Sequence, residues 1–82
     1  MKITSARQLA IYLKDQRKSQ KMTQSATASR VGIRQDTVSK FEHHPDTTMV
    51  DTLFKIISAL NLELHVEQKD KNKKPSEWKE EW

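Results

Sequence analysis

A single glycine, Gly32, stands in the 82 residues of this chain, and it constrains the fold more than any other residue. It divides the run TQSATASRVGIRQDTVSKFE, residues 23–42, into two short polar stretches. Thr23 is suited to cap the first stretch, and the pattern predicts a helix over residues 24–31. A glycine just past a helix end is free to take positive φ, so Gly32 closes that helix and turns the chain. Ile33 then points inward. A further helix is expected from about Gln35 to Glu42, with Val38 and Phe41 facing in at helical spacing.

Helix, glycine turn, helix is the spacing of a helix-turn-helix. Ala28 stands where the two short helices would cross, and its small side chain lets them approach. Ile33 and Val38 would fill the gap between them. The second helix of such a pair can enter a major groove with its N-terminal residues against base edges. The abundance of polar side chains then has a reason: one face meets DNA, and few apolar residues suffice to hold the elbow.

The charge distribution points the same way. The net charge is +4, but residues 1–44 hold nine Lys or Arg against Asp15, Asp36 and Glu42. A basic half on a small domain suits a polyanion, although it also suits a plain solvated face. Apolar residues are 34% of the chain, so the core is small and dimerisation is an obvious way to enlarge it. There is no cysteine for a disulfide or a thiolate metal site, which fits a reducing compartment. No apolar run is long enough to span a membrane, and MKITSARQLAIYLKDQ lacks the apolar region of a signal peptide. An intracellular, cytoplasmic protein is expected.

Elsewhere, Ser5 and Gln8 predict a capping box, followed by Leu9, Tyr12 and Leu13 along one helical face to about Ser19–Lys21. Met22 is expected to staple the next helix. Pro45 breaks the chain after His43-His44. Thr48 is expected to cap a fourth helix, with Asp51 completing its box. Val50, Leu53, Phe54, Ile56, Ile57 and Leu60 make that helix apolar on two faces, one for the core and one for a second copy. LELHVEQ, residues 62–68, alternates at period two and predicts a strand. A lone strand is unstable, so its partner is expected in another subunit. From Lys69 the chain is highly charged and predicted to be disordered when free. The expected organisation is all-α, four to five helices over residues 1–68 with one strand paired across a dimer, then a tail over 69–82.

The residues of this elbow resemble the phage-repressor-type (Xre/Cro-like) helix-turn-helix family, through Thr23-Gln24, Ala28, Gly32-Ile33, Gln35, Thr37-Val38-Ser39 and Phe41-Glu42. The longer run GIRQDTVSKFEHHPDTTMVDTLFKIISALNLEL, with a charged tail ending in Trp, is similar to the HipB antitoxins, DNA-binding partners of HipA-type toxin kinases. The resemblance implies a homodimer that binds an inverted-repeat operator, represses its own operon and neutralises a HipA-like Ser/Thr kinase. It implies that Gln24, with Thr23 beside it, contacts a phosphate. Arg34, Gln35, Thr37, Ser39 and Lys40 would face DNA. Gln35 is the candidate base reader, because an amide pairs bidentately with adenine. Arg34 would read a guanine or a phosphate, and Lys40 a phosphate. Arg17 and Glu42 match a structural pair that bridges the first and third helices.

Two positions depart from the family pattern. Thr27 stands where Leu is usual, so a looser elbow is expected. Asp36 stands where Ala or Ser is common. It would favour the helix N-terminus or accept from a cytosine amino group, and near phosphates it would lower affinity. Trp78 and Trp82, four apart, would share a helical face, and the tail is read as a segment that orders on a partner. His43-His44 beside Asp46 is read as a turn, not a metal site. No nucleophile–base pair or phosphate loop is seen, and the small core predicts little room for a pocket, so neither an enzyme nor a cofactor is expected. A repressor without a toxin, and a protein-interaction adaptor, remain the alternatives.

Overall fold

Three of the four α-helices described here end in the same way, and those endings set the path of the chain. A computed structural model describes residues 2–69. Its helices are α1 (Ala6–Ser19), α2 (Gln24–Arg30), α3 (Gln35–His43) and α4 (Val50–Ala59), with a single 3-10 turn at Pro45–Thr47. After α1, Met22 N–H donates to Arg17 C=O at 3.1 Å and Lys21 N–H to Lys18 C=O at 3.0 Å. After α4, Leu62 N–H donates to Ile57 C=O and Asn61 N–H to Ser58 C=O. After α2, Ile33 N–H donates to Ala28 C=O at 3.1 Å. These are Schellman-type endings, which satisfy carbonyls left over at a helix terminus. Each places one residue at positive φ: Lys21 at 58°, Gly32 at 70° and Asn61 at 58°.

The helix starts are equally explicit. Ser5 Oγ accepts from Gln8 N–H at 3.1 Å. The return bond of the expected capping box goes one residue further back, because Gln8 Oε1 accepts from Thr4 N–H at 2.7 Å. Thr23 Oγ1 caps α2, accepting from Ala26 N–H at 2.9 Å. Thr48 does not cap α4. It ends the 3-10 turn instead, so the helix starts one residue later than expected and Met49 takes the cap position without a side-chain bond. Asp51, freed from the expected box, pairs with Lys55 Nζ at 3.3 Å one turn on.

Ala10 and Leu13 of α1, Ala28 of α2, Val38 and Phe41 of α3, and Ile56, Ile57 and Leu60 of the α4 segment form one buried cluster. Ile33 and Met22 pack against it from the two turns. Val38 is fully buried between the short helices, as the elbow requires. Thr27 is also 0% exposed, and its hydroxyl donates to Thr23 C=O at 2.9 Å. The threonine at this family-atypical position is therefore closed over and hydrogen-bonded. Two side chains tie the end of α4 to the rest: Arg30 Nη1 donates to Ala59 C=O at 3.0 Å, and Gln20 Nε2 to Leu60 C=O at 2.8 Å.

Residues 62–68 carry no strand in the single chain, since a ladder needs a second strand to accept its hydrogen bonds. They run beside the start of α1 instead. Together with Ile3, Leu9 and Tyr12, Leu62, Leu64 and Val66 border a groove of about 690 Å³. Sequence reading expected little room for a pocket; the space arises between elements, not inside the core. The tail, with Trp78 and Trp82, lies outside the described residues.

Candidate nucleic-acid interface

Four side chains from three helices form a continuous polar relay that ends at the tip of α3. Arg17 on α1 grips Glu42 on α3, with Nε 2.7 Å from Oε2 and Nη2 3.2 Å from Oε1. A third guanidinium N–H donates to Met22 C=O at 2.9 Å. Both side chains are nearly enclosed, 10% and 4% exposed. Glu42 Oε1 also accepts from Gln24 Nε2 at 2.9 Å. Gln24 Oε1 in turn accepts from Gln35 Nε2, across the turn between α2 and α3. An enclosed ion pair with its remaining lone pairs satisfied fixes geometry, and here it fixes how the two glutamines present themselves.

The protonation of Glu42 follows from these contacts. Burial is the largest single influence and opposes ionisation. The hydrogen bonds from Arg17 and Gln24, with the charges of Arg17 and Lys14, together outweigh it. The net effect holds its carboxyl below the ordinary glutamate range, so Arg17 keeps an ionised partner at neutral pH.

The residues singled out from sequence fall into two groups. Thr23, Gln24 and Gln35 meet at the mouth of the elbow, Thr23 occupied in capping and the two glutamines bonded to each other. Arg34, Asp36, Thr37 and Lys40 gather on the other side of α3, where they border a shallow hollow of about 230 Å³. Arg34 sits at the cap position of α3, and its Nε lies 3.3 Å from Oδ1 of Asp36. Ser39 lies apart from both groups on the helix body, half-buried, with its carbonyl 2.8 Å from His43 Nδ1.

Sequence reasoning missed the far wall of that hollow. Thr47, Thr48, Met49 and Thr52 line it opposite the recognition helix, and Met49 is largely exposed there. Their signal was a 3-10 turn started by Pro45, which returns the chain alongside α3. Among the described residues no group of three or more His, Cys, Asp or Glu is placed to hold a metal ion. No described helix is long and apolar enough to cross a membrane.

Two short helices locked at a glycine turn, the second carrying exposed polar side chains at its N-terminus, define the helix-turn-helix class. The Helix-turn-helix family model matches residues 13–66. Antitoxin HipB of Escherichia coli strain K12 is 44% identical over 63 residues, which make up 77% of this chain and 72% of that protein. The chain belongs to the helix-turn-helix family, in its HipB-like branch. Among solved structures, a chain of a HipA-HipB-O2-O3 complex superposes with a TM-score of 0.84 at 40% identity, over 85% of this chain and 99% of that one. A HipB-O4 20mer complex gives a TM-score of 0.83, with the same identity and coverage.

Proposed function

We propose that this protein is a DNA-binding antitoxin that represses its own operon and neutralises a HipA-like Ser/Thr kinase, itself having no catalytic role. The observation that carries the reading is the relay from Arg17 to Gln35, which holds a polar recognition helix in a fixed pose on a chain 44% identical to antitoxin HipB. Structural neighbours that contain HipA, HipB and the O2-O3 or O4 segments support both kinds of partner. Thr23 and Gln24 contact phosphate, Gln35 reads a base, and Arg34, Thr37, Ser39 and Lys40 complete the contacts. The protein acts in the cytoplasm.

Binding is by a homodimer on an inverted repeat, with two recognition helices about one helical turn apart. Val50 and Phe54 on α4, and Leu64 and Val66 beyond it, are exposed apolar side chains that support this reading. In the dimer, residues 62–68 pair with the same segment of the second copy and gain the hydrogen bonds that the single chain cannot offer. The tail docks on the kinase through Trp78 and Trp82.

Selection from a random duplex pool at roughly 0.15 M salt tests the DNA half, because that salt already weakens non-specific phosphate contacts. One inverted repeat should be recovered, and Gln35→Ala should lose it. Co-purification with the kinase tests the other half. Removal of residues 69–82 should abolish the complex and spare DNA binding; a chain whose function survives that deletion is a repressor without a toxin.

A further inference from the structure

The recognition helix carries two acids: Glu42 is enclosed against Arg17, and Asp36 stands exposed in the first turn beside Arg34. Asp36 Oδ1 lies 3.3 Å from Nε of Arg34, with both side chains open to solvent. An exposed pair of this kind adds little to stability. A carboxylate on a face meant for phosphates lowers affinity. An acid in the first turn favours the helix N-terminus, and its place beside Arg34 gives it a second, geometric use. The Arg34 carbonyl accepts from Thr37 and Val38 N–H, but its guanidinium donates no hydrogen bond to another described residue, and with Asp36 at Nε its Nη1–Nη2 fork is left open. That two-donor fork matches O6 and N7 of guanine. Lys40, the other cation on the same hollow, has no ion-pair partner among the described residues.

Resting on the DNA-binding reading above, we propose that Asp36 is a positioning residue: it holds Arg34 by Nε so that the Nη fork reads a guanine in the major groove. The acid trades general attraction to DNA for discrimination at one base pair. An unrestrained arginine at a helix start would swing to the nearest phosphate, which carries no sequence information.

Duplex selection and thermal unfolding of Asp36→Ala, Asp36→Asn, Arg34→Ala and the Arg34→Ala/Asp36→Ala double variant test the assignment. Asp36→Ala should relax a guanine preference about tenfold, at the same base pair that Arg34→Ala relaxes. The double variant should relax it no further. Asp36→Asn, which keeps an oxygen in place, should retain part of the preference. Affinity of Asp36→Ala for random duplex should be equal or higher. An unchanged base preference with only a lower melting temperature would overturn the proposal, leaving Asp36 as a helix-end charge. A changed preference at a base pair indifferent to Arg34→Ala would also overturn it, making Asp36 a direct acceptor for cytosine. If the unsubstituted protein selects no sequence, the DNA-binding reading itself falls and takes this inference with it. If it selects a repeat that Asp36→Ala selects equally well, only this inference falls.

Discussion

Arg17 and Glu42, 25 positions apart, share two hydrogen bonds inside the elbow, at 2.7 and 3.2 Å. Breaking a nearly enclosed pair by removing one partner leaves an uncompensated charge, which costs about 3–5 kcal/mol. Arg17→Ala should lose most of the stability of so small a domain, read from its urea midpoint. DNA binding should fall with it, because Gln24 loses a fixed carboxylate to lean on.

The same pair sets an acid limit. The Glu42 carboxyl is held below its ordinary range in the folded state, so its ionisation favours folding. That contribution is fully present above the unfolded-state value and is lost as pH falls through the lower folded value. Melting temperature should therefore be insensitive to Glu42 near neutrality and should drop in strongly acid solution. Glu42→Gln should flatten that part of the profile while lowering stability at neutral pH.

Backbone conformation gives a prediction with opposite signs at two sites. Gly32 has φ of 70° and open space around an added Cβ, so Gly32→Ala is opposed by the backbone alone. It should destabilise by about 1–2 kcal/mol. Lys21 bears a full side chain at φ 58°. Lys21→Gly should stabilise by about 0.5–1 kcal/mol, a rise of several degrees in melting temperature.

Thr27 is enclosed, but its hydroxyl is not essential. Thr23 C=O, which accepts that hydroxyl, also accepts Thr27 N–H at 3.0 Å. Thr27→Val keeps the branched shape and leaves the carbonyl satisfied, so its effect should stay within about 1 kcal/mol of neutral. Thr27→Leu adds volume to a closed site and should destabilise by about 1–3 kcal/mol. Denaturant midpoints of the two variants separate shape from polarity.

Val66 is 88% exposed at the end of the alternating segment. If the proposed dimer pairs through this segment, Val66→Asp with Leu64→Asp should shift it to monomer in sedimentation equilibrium. The α-helical circular dichroism of the chain should persist.

The start of α1 and most of the elbow were legible because their signals are local. Ser5, Thr23 and Gly32 act within a turn of their own positions, and Val38 and Phe41 follow simple periodicity. The Arg17–Glu42 pair was legible only through family resemblance. Lys21 and Asn61 were not, since a Schellman ending tolerates a residue whose identity gives little warning of positive φ. Thr48 misled because a threonine before an apolar run fits a cap equally well whether or not a 3-10 turn has already claimed it. The Gln24–Gln35 bond depends on how α2 and α3 cross, and no spacing rule carries that; the Arg34–Asp36 contact is local, but it turns on a rotamer that the sequence does not specify.

Arg30 of α2 and Gln20 at the end of α1 grip the last carbonyls of α4, at 3.0 and 2.8 Å. α4, which bears the exposed Val50 and Phe54, is thus tied to α1 and to α2 of the elbow. In the proposed dimer, two such protomers joined through α4 would act as a caliper with a stiff hinge, its jaws set at one opening. Operators lengthened by a single base pair would be refused outright, since neither arm has slack with which to follow them.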